Sequence, residues 1–284
     1  MISSTGSRST ASDTANRMRR SYLFVPGNRP DRYAKACATR ADAVIVDLED
    51  AVAPAEKRAA RDSLVAWLSH ARPVVVRINA ADSEWFGDDL RACANEAVSA
   101  IVLPKAERAE DIMRIAAVCG TRPVLPLVET ARGVWDVLSV ARAPNVRALL
   151  FGSLDFQSDL HASDDDLLYA RSRLVLASRV AGIDAPIDGI TQSVDDTELL
   201  RRDCQRARQL GFGGKLCIHP KQVDAVNRGY APRDADRAWA ERVLARLAEN
   251  PKGAFAVDGK LVDKPVIDRA KRIAAETSIQ GVSV

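Results

Sequence analysis

The chain has 284 residues, 47% of them hydrophobic and 28% charged, and its 41 basic and 38 acidic side chains leave a net charge of +3. Such a composition belongs to a globular protein with room for a large core. Dispersed basic residues and an aromatic content of only 5% speak against a nucleic-acid-binding stripe, and no apolar run approaches the roughly 18 residues that span a bilayer.

In chain order, residues 1–19 come first. They are polar and rich in Ser and Thr, and are expected to form a disordered leader; few acids, and two arginines within residues 1–18, keep a transit peptide open. From Ser21 onward, short apolar runs alternate with amphipathic segments. The runs are SYLFVPG (21–27), AVIVDLED (43–50), PVVVRIN (73–79), AIVLPK (100–105), PVLPLVE (123–129), RALLFGSLD (147–155), APIDGI (185–190) and GKLCIHP (214–220). Between them lie stretches such as DDTELLRRDCQRARQLG, whose apolar residues recur at helical spacing. Eight β/α units with nearly continuous apolar strands predict an α/β fold, a TIM (β/α)8 barrel over residues 20–230. A doubly wound sheet stays open as the alternative, although no GxGxxG follows the first strand. Residues 231–284 supply a C-terminal helical extension, a helix at about 233–249 and then a lid-like tail after the Pro251–Gly253 break.

The cysteines, Cys37, Cys93, Cys119, Cys204 and Cys217, are odd in number and never in a CxxC spacing. This argues against a disulfide framework or a zinc site and points to a reduced, cytoplasmic setting.

In a parallel barrel the C-terminal strand ends share one rim, where active sites are built. The strand ends bring Asp47, Glu49 and Asp50, then Arg77 and Asn79, Lys105, Glu129, Asp155, Asp188 and His219. Glu129 and Asp155 stand about one β/α unit apart, and two carboxylates suit a hard cation such as Mg²⁺, which keeps waters and takes oxygen ligands. The alternative is that each acid caps the helix after it, though Thr130 is the better cap beside Glu129. Arg77, in an apolar strand, either pairs with rim acids such as Glu49 or Asp50 or holds an anionic substrate group. Lys105 could do the same, or act as a Schiff-base amine if its pKa were depressed. His219 is a rim residue or a packed barrel-end histidine.

The pieces RSYLFVPGNRP, VIVDLEDAVAPAEKRAAR, VVVRINAADSEWFGDDL, IVLPKAE, LVETARGV, LLFGSLDF, IDGI and LGFGGKLCIHPKQVDAVN run in order over about residues 20–230. By them the chain resembles the HpcH/HpaI aldolase and citrate lyase β-subunit-like family, in the branch with malyl-CoA and citramalyl-CoA lyases. The resemblance implies a TIM barrel that binds Mg²⁺, with Mn²⁺ able to substitute, and cleaves or forms a carbon–carbon bond in a CoA thioester. A β-hydroxyacyl-CoA would give an acyl-CoA and a 2-oxo acid. Two alternatives are a CoA-independent 4-hydroxy-2-oxo acid aldolase and an acyl-carrier-dependent citrate lyase β subunit inactive alone.

Carried over by motif, the resemblance makes Glu129 and Asp155 the metal pair, with Glu129 also among the catalytic and substrate-binding residues, and Arg77 the substrate clamp. CoA would lie against Phe24, Arg29 and Lys35, with further contacts at Arg61, Ile187 and Asp188. Asp263, closing VDGKLVD, would act as acid/base, reaching a neighbouring subunit of a homotrimer or hexamer. Asp258 in the same stretch also reads as a hairpin turn with Gly259. The other partners implied are small molecules, with no nucleic acid and no membrane. The chain departs from the family's usual G-A/S-E-D at Leu154, and GITQSVDD is more polar than the resemblance leads one to expect after IDG.

Overall fold

The computed structural model describes residues 19–68, 73–162, 167–249 and 255–280. Most of the expected leader and the Pro251–Gly253 break lie outside the described residues. Among those described, no helix is long and apolar enough to cross a membrane.

Eight strands close into a parallel barrel in sequence order: β1 (Ser21–Pro26), β2 (Ala43–Asp47), β3 (Val74–Arg77), β4 (Val98–Leu103), β5 (Val124–Val128), β6 (Leu150–Phe151), β7 (Ile187–Asp188) and β8 (Gly214–Cys217). Closure comes from β1, which pairs with β2 on one side and β8 on the other. That removes the doubly wound alternative. The strands read as unbroken apolar runs because both faces are buried. One face fills the barrel with Tyr22, Ile45, Val75, Val102, Leu125, Leu127, Leu150, Ile187 and Leu216. The other packs outward on the helices, with Val46, Val76 and Ile101 among its members.

The surrounding helices are α1 (Pro30–Cys37), α2 (Lys57–Leu68), α3 (Phe86–Cys93), α4 (Ala109–Cys119), α5 (Ala131–Trp135), α6 (Val137–Ala141), α7 (Ser153–Leu160), α8 (Leu168–Ala181), α9 (Thr197–Leu210) and α10 (Pro220–Tyr230). Each buries one stripe: Ala60, Leu64 and Leu68 on α2, and Ile112, Ile115 and Cys119 on α4. These are the i, i+3, i+4 spacings of one helix face.

The sixth unit corrects the sequence reading. Strand pairing stops at Phe151, the Gly152 N–H bonds back to the Val128 carbonyl at 3.0 Å, and α7 begins at Ser153. Asp155 therefore sits in the first turn of a helix and not at a strand end.

The turn after β1 is held by close backbone approach. The Gly27 N–H donates to the Asp47 carbonyl at 2.7 Å, and the Tyr33 hydroxyl donates to the Gly27 carbonyl at 2.5 Å. A Cβ on Gly27 would lie 2.6 Å from that Asp47 oxygen and 2.8 Å from a Leu48 methyl. Gly27→Ala is therefore expected to destabilise the protein by about 1–3 kcal/mol, the usual range for overpacking. Urea unfolding measures it, and an unchanged midpoint would show that the turn can open without loss.

The chain divides into two compact units, with the boundary after Tyr230. The second holds α11 (Asp234–Glu249), an antiparallel hairpin of β9 (Phe255–Val257) and β10 (Lys260–Val262), and α12 (Lys264–Gln280). Its own core includes Val243, Phe255, Val257, Val262, Ala270 and Ile273. Asp258 and Gly259 form the hairpin turn with φ of 53° and 73°, the left-handed pair that an Asp-Gly turn favours.

Candidate active site

A cavity of about 410 Å³ opens where the strands end. Residues at the ends of β1, β2, β3, β5, β6, β7 and β8 all line it, so it is the C-terminal mouth of the barrel. Strand parity decides which side chains reach it. Asp47 and Arg77 lie two residues beyond the inward Ile45 and Val75, and Glu129 lies two beyond Leu127, so all three point into the mouth.

Asp47 and Arg77 are register partners across β2 and β3. Arg77 grips Asp47 through both edges of its fork, Nε to Oδ1 at 2.7 Å and Nη2 to Oδ2 at 2.6 Å. Its remaining nitrogen, Nη1, lies 3.0 Å from Glu49 Oε2 and 3.3 Å from Asp50 Oδ2. The Phe24 ring stacks on the guanidinium, 4.9 Å away. Asp47 also accepts from the N–H groups of Glu49 and Ala51, and the Lys57 ammonium donates to the carbonyls of Leu48 and Glu49. The DLED turn is thus tied from both sides. Of the two readings of Arg77, the structure realises the pairing with rim acids, and it leaves the guanidinium facing the cavity.

Glu129 is 2% exposed. Its Oε1 accepts from the Lys105 N–H at 2.8 Å, while Oε2 is buried with no hydrogen-bond partner. Burial pushes the carboxyl up to about 8. The Lys105 N–H opposes this, the charges of Glu49 and Asp155 add to it, and Arg77 works against it. Lys105 adopts φ 48°, a left-handed conformation costly for a side-chain-bearing residue, as it presents that N–H to Glu129. Its ammonium bonds Glu49 Oε1 at 3.1 Å. Burial works to lower the lysine pKa, but Glu49, Asp50 and Glu129 outweigh it and hold the ammonium above its ordinary range. That is the opposite of what a Schiff-base amine needs. Glu49 is itself pushed up to about 6 by burial, against the pull of Arg77.

Gly152 makes room for Glu129: a Cβ there would fall 2.5 Å from the Glu129 Cβ and 2.6 Å from Oε2. Asp155, exposed in the first turn of α7, lines the same cavity. Neither acid caps a helix. Thr130 caps α5 by accepting from the Gly133 N–H at 3.0 Å, and α7 has no side-chain cap. Among the described residues no cluster of three or more His, Cys, Asp or Glu side chains is arranged to hold a metal. Two carboxylates remain, one with an unpartnered buried oxygen. That donor set fits a hard cation completing its shell with water and substrate oxygens.

Of the residues singled out in the sequence, the mouth brings together Phe24, Asp47, Asp50, Arg77, Glu129, Leu154 and Asp155. Arg29, Lys35, Arg61, Asn79, Ile187, Asp188, His219 and Asp263 do not line it. Arg29 precedes α1 and pairs with Asp31 at 2.9 Å, and Lys35 is exposed in the last turn of that helix. Arg61 is buried between α2 and α3, bound to Asp89 at 2.8 Å and Asp88 at 3.2 Å. Ile187 is packed inside the barrel. Asp188, the next residue, therefore points outward, where Arg171 and Lys215 hold it at 3.1 and 3.2 Å. The expectation of Arg61 and Asp188 side chains facing a ligand is corrected on that ground: both are committed to buried ion pairs behind the barrel wall. Asn79 is tied to Asp89, and His219 Nδ1 accepts from the Lys221 N–H at the start of α10. Asp263 accepts from the Val266 N–H at 3.3 Å and caps α12 in the second unit.

Sequence reasoning placed Asp47, Glu49 and Asp50 on the rim and offered Glu49 or Asp50 as partners of Arg77, but did not name Asp47, which Arg77 grips most closely. It also missed Ile190 and Ile218, which with Leu154 and Phe24 make the β6 to β1 side of the mouth apolar. Their signal was available, since Ile218 follows β8 directly and Ile190 follows β7 by two residues.

A family model described as HpcH/HpaI aldolase/citrate lyase matches residues 20–220. A citrate lyase subunit beta-like protein of Deinococcus radiodurans is 38% identical over 275 residues, covering 89% of this chain and 95% of the relative. A (3S)-malyl-CoA thioesterase of Cereibacter sphaeroides is 35% identical over 268 residues, covering 90% and 94%. Among solved structures, protein CitE from Mycobacterium tuberculosis, in complex with magnesium, acetoacetate and coenzyme A, superposes with a TM-score of 0.82 at 36% identity, covering 92% of this chain and 98% of that one.

Proposed function

The chain belongs to the HpcH/HpaI aldolase/citrate lyase family, and we propose that it is a Mg²⁺-dependent carbon–carbon lyase that cleaves or forms a β-hydroxyacyl-CoA such as malyl-CoA or citramalyl-CoA. The observation that carries this reading is the buried, unpartnered Glu129 Oε2 in a cavity shared with Asp155 and Arg77. Glu129 and Asp155 would hold the ion, and a relative of the same fold has been solved in complex with magnesium and coenzyme A. When bound, Mg²⁺, or Mn²⁺ in its place, would supply Lewis-acid stabilisation of the negative charge that develops on the substrate.

The chain's own residues account for the rest. Cleavage requires the hydroxyl to give its proton to solvent at the open mouth, the bond between the carbinol carbon and the thioester α-carbon to break with its electron pair moving onto the thioester oxygen, and the α-carbon then to take up one proton. Arg77, held rigid by Asp47, Glu49 and Asp50, presents a fixed positive charge to that oxygen as its charge develops. Preorganised donors of this kind need no rearrangement during the step. Phe24 places an apolar face beside the guanidinium for the acyl group. Arg29, exposed just beyond the end of β1, and Lys35, exposed in the last turn of α1, are the cations for the CoA phosphates. Asp263 gives the proton to the α-carbon, reaching the mouth of a neighbouring copy in a homotrimer or hexamer.

The test is direct. Purified chain with malyl-CoA or citramalyl-CoA is expected to release glyoxylate or pyruvate only with Mg²⁺ or Mn²⁺, followed as the phenylhydrazone. No product from either thioester overturns the reading. Free CoA without oxo acid would indicate thioester hydrolysis instead, and turnover of free 4-hydroxy-2-oxo acids a CoA-independent aldolase.

A further inference from the structure

The mouth of the barrel is divided by strand. The ends of β2, β3 and β5 bring the charged groups, whereas the ends of β7 and β8 bring Ile190 and Ile218. The end of β6 joins the two halves, because Leu154 lies between Ser153 and Asp155 and lines the same cavity. An aliphatic side chain therefore stands one residue from the carboxylate that faces the ligand. Among the described residues, Arg77 is the only basic side chain lining the cavity, and three acids already surround it.

We infer that Leu154 selects substrates whose carbinol carbon carries an alkyl branch, so that the 2-oxo acid exchanged is pyruvate or a longer 2-oxoalkanoate. This rests on the lyase reading and deepens it. A substrate carboxylate bound through a cation that Glu129 and Asp155 would hold would bring the substituent on the adjacent carbon towards Leu154, which lines the same cavity. Hydrogen at that position, as in glyoxylate, leaves the leucine methyl groups without a partner. A carboxymethyl group, as in oxaloacetate, puts a second anion against aliphatic side chains where, among the described residues, no basic side chain but the already paired Arg77 lines the cavity, and an unpaired buried charge is heavily disfavoured. One methyl in an apolar pocket is worth roughly tenfold or more in discrimination.

The experiment measures binding of glyoxylate, pyruvate, 2-oxobutyrate and oxaloacetate to the Mg²⁺-loaded protein by calorimetry, with kcat/KM for their condensation with acetyl-CoA beside it. Pyruvate and 2-oxobutyrate are expected to bind and react roughly tenfold better than glyoxylate, with oxaloacetate weakest. Leu154→Ala is expected to narrow the pyruvate to glyoxylate ratio in both readouts. Leu154→Lys is expected to raise the affinity for oxaloacetate relative to pyruvate. Leu154 is partly exposed, so both variants should fold, which thermal melts of the free proteins check. A preference for glyoxylate or oxaloacetate, or a ratio that Leu154→Ala leaves unmoved, overturns the inference while the lyase reading stands. Failure of every oxo acid to bind or react overturns both.

Discussion

Glu129→Gln is expected to lower kcat/KM by on the order of 10³-fold, a loss of several kcal/mol of charge stabilisation, while making the metal-free protein more stable at pH 8. The two effects have one cause. Burial pushes the folded Glu129 carboxyl up to about 8 from an ordinary value of 4.5. The folded state therefore holds this proton more tightly than the unfolded state does. Stability falls as pH rises from the ordinary carboxyl range to about 8, and above that the whole penalty is present. At about 1.4 kcal/mol per pKa unit this amounts to a few kcal/mol, and glutamine does not carry it. Thermal melts should show the variant several degrees above the wild type at pH 8, at about 2–4 °C per kcal/mol, and level with it near pH 5. A divalent cation binds the deprotonated carboxylate, so Mg²⁺ should raise the wild-type melting temperature more at pH 8 than at pH 6, and leave Glu129→Gln unmoved. Retained activity in the variant, or a variant less stable at pH 8, would sink the assignment.

The barrel was legible because its signals are local. Apolar runs separated by amphipathic stretches, Thr130 as a cap and Asp258-Gly259 as a hairpin turn are each written within a few residues. Side-chain direction was not. A strand buried on both faces has apolar residues on both, so nothing in AVIVDLED or APIDGI says that Asp47 points into the mouth and Asp188 away from it. One clue was available in Lys215, a cation in the middle of an apolar strand and buried in the structure. It needed an acid on an adjacent strand, and Asp188 on β7 is that acid. Accounting for Lys215 first would have taken Asp188 off the rim. Likewise, Arg61 read as a ligand contact because an arginine after DLEDAV looks free in sequence; Asp88 and Asp89, more than twenty residues on, take it up only once α2 packs on α3. Asp155 moved into a helix because Gly152 bonds back to β5, a long-range contact without a local pattern.

The same accounting predicts that Arg77→Ala will lose stability as well as rate. Asp47 and Glu49 are 2% and 5% exposed, and Arg77 is the guanidinium that faces both. Removing it leaves Asp47 without its counter-charge and Glu49 with the Lys105 ammonium alone, and breaking a buried pair in this way costs about 3–5 kcal/mol. The loss should depend on pH. Glu49 already sits at about 6 because burial outweighs the lowering effect of Arg77. Without that effect its carboxyl moves higher still, the folded state holds the proton over a wider range, and the penalty grows as pH rises through that range. Urea unfolding should therefore show a larger deficit for Arg77→Ala at pH 8 than at pH 5. Arg77→Lys restores one positive charge but not the two-edged grip on Asp47, so it should recover part of the stability and little of the rate. Equal recovery of both by lysine would mean that a point charge suffices in the chemical step and the fixed fork does not matter. A deficit under about 1 kcal/mol at both pH values, the range of an exposed pair, would mean that solvent, not Arg77, balances the acids of the mouth.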